Sequence, residues 1–134
     1  MFKYVKEIPD DSFDAVASGF VLHNFGRTDR NILIAEIHRV LKPGGIFVNA
    51  DKYAHDDPEK RATVYKEQIA RYDVYDTIGR SDYKKEWVEH MERDEKEDLV
   101  FFEGEAKKYM EKLGFRNIKT NYREMMEAVV SGVK

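Results

Sequence analysis

Few of the 134 residues can do covalent chemistry. Cysteine is absent, so disulfides and thiolate nucleophiles are excluded. Serine is scarce and never sits in a nucleophile-elbow pattern. His55 lies beside Asp56 and Asp57, which invites a metal reading. Consecutive residues do not share one helix or strand face, and no second histidine is near in sequence. His38 falls inside a helical pattern and His90 on a charged one, so no metal ligand set is assigned. Gly44-Gly45 is the one glycine pair. A phosphate-binding loop runs from strand through glycines into a helix, whose free N–H groups face the anion. Here the order is helix, glycines, strand, so the pair reads as a turn at a helix C-terminus, an end that repels phosphate.

The elements that must position such residues follow from periodicity. Pro9 to Ser12 is a turn-type cluster after a polar lead-in. Residues 13–18 read as a short buried strand, and residues 21–25 leave it. Thr28 or Asp29 is suited to cap a helix whose Leu33, Ile37, Val40 and Leu41 recur at helical spacing. That helix stops at Lys42-Pro43-Gly44-Gly45, and residues 46–51 form a second strand. In residues 55–98, 23 of 44 positions are Asp, Glu, Lys or Arg. Asp57-Pro58 starts a helix with Ala62, Tyr65, Ile69 and Tyr72 on one stripe. Gly79 breaks it, and Ser81 or Asp82 caps another carrying Trp87, Val88 and Met91. This segment is either a pair of solvated amphipathic helices or a cover over a site. Leu99 to Phe102 re-enters the core, and a helix over 105–113 stops at Gly114. Residues 115–122 and 125–132 are joined too tightly for a parallel crossover and must pair antiparallel.

Composition excludes several classes. A net charge of -3 gives no reason to expect nucleic acid. The start of the chain lacks a signal-peptide pattern, and no apolar run approaches the roughly 20 residues that span a bilayer. A cytoplasmic protein with no membrane partner is expected.

Three stretches, DDSFDAVASGFVLHNF (10–25), EIHRVLKPGGIFVNADKY (36–53) and YMEKLGFRNIKTNYREMMEAVVSGVK (109–134), resemble in order and spacing the C-terminal half of a class I S-adenosylmethionine-dependent methyltransferase. The resemblance implies an α/β fold: a partial Rossmann-like, mixed sheet of about four strands. Its last strand lies between the second and third, in a terminal antiparallel hairpin, and 55–98 is a helical insert on a single domain spanning 1–134. It also implies S-adenosylmethionine as the cofactor of the parent family. Ser18, Gly19, Phe20 and His23 would approach the methionine part of that cofactor. In open α/β sheets the ligand lies beyond the carboxyl ends of the strands, here Ser18 to His23 and Asn49 to Tyr53. His23 is open to three roles there: pocket wall, hydrogen-bond donor or general base. Asp51 would orient a substrate, act as a base, or cap the strand end. Tyr53 is a candidate for a substrate pocket, as are Tyr65, Tyr72 and Tyr75 beneath the helical cover, with packing as the alternative role of these last three.

The family's glycine-rich cofactor loop and its ribose-binding acidic residue have no counterpart in these residues. The chain is therefore expected to be a truncated half, inactive alone and doubtful as a cofactor binder. The alternatives are a non-enzymatic dimeric remnant or one half of a split enzyme with a separate N-terminal partner. Strand 13–18, central in a whole enzyme, becomes an unprotected edge, which predicts a homodimer through it.

Overall fold

The computed structural model describes residues 2–96 and 98–134. In chain order it runs α1 (Phe2–Glu7), β1 (Phe13–Gly19), a 3-10 turn (Leu22–Asn24), α2 (Arg27–Val40) and β2 (Leu41–Lys52). Then come α3 (Pro58–Arg71), α4 (Val74–Thr77), α5 (Ser81–Asp94), α6 (Glu103–Leu113), β3 (Arg116–Glu124) and β4 (Glu127–Val133). The four strands form one open sheet in the order β1-β2-β4-β3. β1 and β2 are parallel, and β4 is antiparallel to both of its neighbours. The expected topology, with the last strand in the middle, is the observed one.

Side-chain period explains how the sheet is held. In α2, Leu33, Ile34, Ile37 and Val40 form one buried stripe. In β2, Phe47, Asn49 and Asp51 are buried at every second position, and Tyr53 just beyond continues the series. The apolar members join Leu22, Phe101, Met110, Phe115 and Val130 in the main core. Two polar residues therefore occupy core-facing positions at the carboxyl end of a strand. A second, smaller cluster of Val64, Met91 and Met126 holds the insert, with Tyr65, Ile69 and Tyr72 packed against it.

Several local expectations are corrected. The lead-in contains α1, whose Val5 packs on the core. β1 is an edge strand among the described residues, and most of its side chains are exposed, with Phe13 at 42%. The buried strand expected there is thus open to solvent. Gly26, not Thr28 or Asp29, precedes the first turn of α2, and no side chain caps it. Arg27 N–H instead donates to Asp98 O (2.8 Å), so a distant carbonyl replaces the cap. Arg80 rather than Ser81 or Asp82 precedes α5, again without a side-chain cap. Ala62 is exposed, because Val64 takes the inward position on α3. Asp57 does cap α3, accepting from Lys60 N–H (2.8 Å) with Pro58 in the first turn. Gly114 closes α6 at φ 104°, as its position required.

The Gly44-Gly45 segment lies inside β2. Leu41 pairs with Phe13, and pairing resumes only at Ile46 with Ala15. Residues 42–45 are looped out between them, with Gly44 at φ 81°. Gly44 N–H donates to Lys134 O (2.8 Å) and Lys134 N–H to Gly45 O (2.9 Å), so the turn is latched to the last residue.

Candidate functional site

The carboxyl ends of β1 and β2 converge on one buried polar network. Asp51, 1% exposed, accepts from Leu22 N–H (2.9 Å), Lys52 N–H (2.9 Å) and the Asn49 amide (3.3 Å). It also accepts from His23 Nδ1 at 2.5 Å. A carboxylate can only accept, so Nδ1 is the donor, and in the neutral imidazole the lone pair then lies on Nε2. Asn49 reaches on to Tyr53 Oη (2.8 Å). Asp51 is thus saturated with donors, and His23 is the member of the pair with a free reactive atom.

The turn carrying His23 is set from behind by Arg30, which neither its spacing nor its neighbours in sequence single out. Its Nε donates to Leu22 O (3.1 Å), and its two terminal nitrogens reach Phe25 O, Val100 O and Leu99 O. The guanidinium lies 4.2 Å from the centre of the Phe101 ring. Burial lowers its pKa to about 10, which still leaves it charged at neutral pH. One side chain therefore ties the 3-10 turn to the segment that follows the insert.

Phe20 stands where β1 ends, at φ 52°, a conformation that costs a non-glycine residue of order 1–3 kcal/mol. Its N–H donates to Ala50 O (2.8 Å), which fixes the bend, and its ring is 51% exposed. Beside it, Gly19 faces open space. Ser18, Gly19, Phe20 and His23 thus share one strand end, with an open surface at Gly19 and Phe20.

The proposed pocket tyrosines separate. Tyr53 is 1% exposed, its ring 4.4 Å from that of Phe101, and burial pushes its phenol pKa well up. It is a core residue of the network rather than a wall open to ligand. Tyr65 is half-buried in the small cluster under the insert. Tyr72 stacks on Trp87 (6.0 Å), behind a groove of about 590 Å³ lined by Tyr75, Tyr83, Glu86, Trp87, His90 and neighbours. His55, Asp56 and Asp57 do not converge. Asp57 caps α3, Asp56 accepts from Gly104 N–H, and His55 contacts Arg123 (3.3 Å).

The structure also brings the insert onto His23. α5 supplies His90 and Asp94, and His23, His90 and Asp94 place ligand-type atoms within 4.8 Å of one another. Lys52 Nζ pairs with Asp94 Oδ2 at 3.1 Å, and His90 Nε2 lies 3.2 Å from the same oxygen. A cavity of about 20 Å³ sits beside His23, Lys52, Asp94 and Phe101. Burial lowers the pKa of His90. The sequence signal for this cluster was slight: only His90 and Asp94, four apart on one helix face.

Comparison with known proteins agrees with this geometry. A family model described as a methyltransferase domain matches residues 3–49. An uncharacterized methyltransferase, YcgJ of Bacillus subtilis, is 42% identical over 50 residues, which are 37% of this chain and 19% of that protein. A SAM-dependent methyltransferase from Archaeoglobus fulgidus superposes with TM-score 0.62 at 11% identity, over 98% of this chain and 64% of that one. PigF, solved with SAH, superposes with TM-score 0.58 at 14% identity, over 95% of this chain and 32% of that one. This chain spans less than two thirds of the length of each of these proteins. It carries the fold of these methyltransferases, in an open mixed sheet; the Archaeoglobus protein is SAM-dependent and PigF was solved with SAH. Among the described residues no helix is long and apolar enough to cross a membrane.

Proposed function

We propose that this chain is the acceptor-side part of an S-adenosylmethionine-dependent enzyme that methylates a small molecule. The observation that carries the reading is the His23–Asp51 pair at the carboxyl ends of the two parallel strands. Gly19 and Phe20 are open on one side of it and, with Ser18, would take the methionine end of the cofactor. When bound, S-adenosylmethionine supplies an electrophilic methyl group. The acceptor oxygen or nitrogen would take the methyl as its carbon–sulfur bond breaks and S-adenosylhomocysteine leaves, and His23 Nε2 would take the proton that the acceptor O–H or N–H gives up. Asp51 holds the imidazole through Nδ1 and stabilises the imidazolium that results. Leu22 N–H, Lys52 N–H and Asn49 keep the carboxylate from turning away. The aromatic groove at Tyr75, Tyr83 and Trp87 reaches His90, beside His23, and its ring faces suit a planar acceptor.

Among residues 2–96 and 98–134 no glycine-rich turn leads from a strand into a helix, which supports a source outside them for the contacts to adenosine and ribose. In this reading they come from chain outside these residues or from a partner, and these 134 residues alone are inactive. Titration calorimetry of the 134-residue chain with S-adenosylhomocysteine tests this. The expected result is no saturable heat at micromolar ligand. Tight one-to-one binding would show that these residues suffice.

A second reading, a non-enzymatic homodimer, draws support from the edge of β1, where Phe13 is 42% exposed and one row of backbone groups is unpaired in the sheet. Pairing of two β1 strands would double the sheet to eight strands. Light scattering at high micromolar concentration is expected to give the mass of two chains, and a monodisperse monomer excludes it.

A further inference from the structure

We propose that His23, His90 and Asp94 form a binding site for a divalent transition cation of the zinc class, which fastens the insert to the sheet. The donor set is two imidazole nitrogens and one carboxylate oxygen, all suited to such an ion. Zinc bound tetrahedrally at about 2.0–2.1 Å puts its ligand atoms roughly 3.3 Å apart. His90 Nε2 and Asp94 Oδ2 already stand at 3.2 Å, one helical turn apart on α5. The atoms of all three residues lie within 4.8 Å, so the His23 nitrogen needs to close by at most about 1.5 Å.

Three further observations support a built site. His23 Nδ1 is bonded to Asp51, which leaves Nε2 as the coordinating atom and supplies the carboxylate–histidine support that metal ligands commonly have. The adjoining cavity of about 20 Å³ has room for one water-sized body, enough for a fourth, exogenous ligand. His23 is buried and His90 and Asp94 are partly buried, so the three donors are drawn out of bulk water. Two contacts must yield on binding: Lys52 swings off Asp94, and Arg93, which contacts His90 Nδ1, gives way as that nitrogen takes the ring proton. This competition sets a moderate affinity. A coordinated Nε2 cannot accept a proton, so the ion would silence His23 as a base while locking α5 over it.

The site is tested without cofactor or acceptor, so its failure is separate from that of the methyl-transfer reading. Untagged protein is titrated with zinc chloride by calorimetry, and cobalt(II) absorption reports geometry. One equivalent of zinc is expected to bind at micromolar concentration and raise the melting midpoint, with a tetrahedral cobalt spectrum. His90→Ala and Asp94→Asn, both on the solvent side of the cluster, each weaken binding about 10–100-fold. Lys52→Met, which removes the competing ammonium, tightens it. Zinc binding that survives both α5 substitutions would place the ion elsewhere and overturn the proposal. So would the absence of binding at 100-fold excess over a micromolar dissociation constant, or an octahedral cobalt spectrum.

Discussion

The sheet and the insert are built on different physics. Between α2 and β2, large apolar side chains such as Ile34 and Phe47 are 1% exposed, and the polar residues buried with them are hydrogen-bonded to one another. The insert α3–α5 buries only Val64 and Met91 fully, and it surrounds them with ion pairs: Arg61–Glu95, Lys84–Asp73 and Lys84–Asp76 among them. Burial of apolar surface stabilises strongly and ignores salt, whereas exposed ion pairs contribute little and are screened. The contrast implies a rigid sheet beneath a cover that opens on its own. Low local stability is what a lid over a ligand requires.

The comparison breaks most sharply at Asp51. Asp51→Ala leaves Leu22 N–H, the Asn49 amide and His23 without their buried acceptor, and a loss of about 3–5 kcal/mol is expected. Chemical denaturation measures it, and a loss under 1 kcal/mol would mean that the network is not what holds the strand ends. Met91→Ala, in the small cluster, should cost about 2–4 kcal/mol against the insert's local opening. Amide exchange should quicken in α3 and α5 while β2 and β4 keep their protection. Uniform loss across both would make the two regions one cooperative unit.

Glu103 gives a pH test at the seam between α6 and the sheet. Burial raises the pKa of its carboxyl, but hydrogen bonds from Lys107, Thr120 and Arg123 outweigh that and hold it at about 2. The folded pKa lies below the unfolded one, so its stabilisation is complete above roughly pH 4.5 and is lost as pH falls towards 2. After allowance for solvent screening this is worth about 1–2 kcal/mol. Glu103→Gln should flatten the melting midpoint against pH in that window, and an unchanged slope would assign acid sensitivity to other carboxylates. The smallest effect is expected at Lys84. Lys84→Ala should leave the melting midpoint within experimental scatter, since both of its partners are solvent-exposed. A clear drop would show that the ion pairs of the cover act as a network.

The motifs around Gly44, Gly114 and Asp57 made the fold legible, because each forces a local conformation that the neighbours must respect. The strand order followed from the family resemblance, while the short joint between residues 115–122 and 125–132 showed only that those two strands pair antiparallel. Site residues were legible only where they lay on such elements. Ser18 to His23 and Asp51 do lie at or just beyond the carboxyl ends of β1 and β2. Tyr53 was read as a pocket wall, although its two-residue spacing from Phe47 through Asn49 and Asp51 puts it on the buried face. Arg30 looked like any helix-surface arginine, because the four carbonyls it holds come from segments on either side of it in sequence. The meeting of His90 with His23 had no local signal, since it depends on how the insert docks.

The looped-out residues 42–45 bear on how this strand tolerates change. A one-residue slip in a strand turns every side chain to the opposite face. Here pairing with β1 is interrupted at the amino-terminal end and resumes at Ile46. An added or deleted residue in that loop disturbs its bonds to Lys134 but leaves the pairing from Ile46 onward in register. Asn49 and Asp51 keep their inward phase, so the segment acts as a slack joint that lets length vary upstream while the reactive end stays indexed.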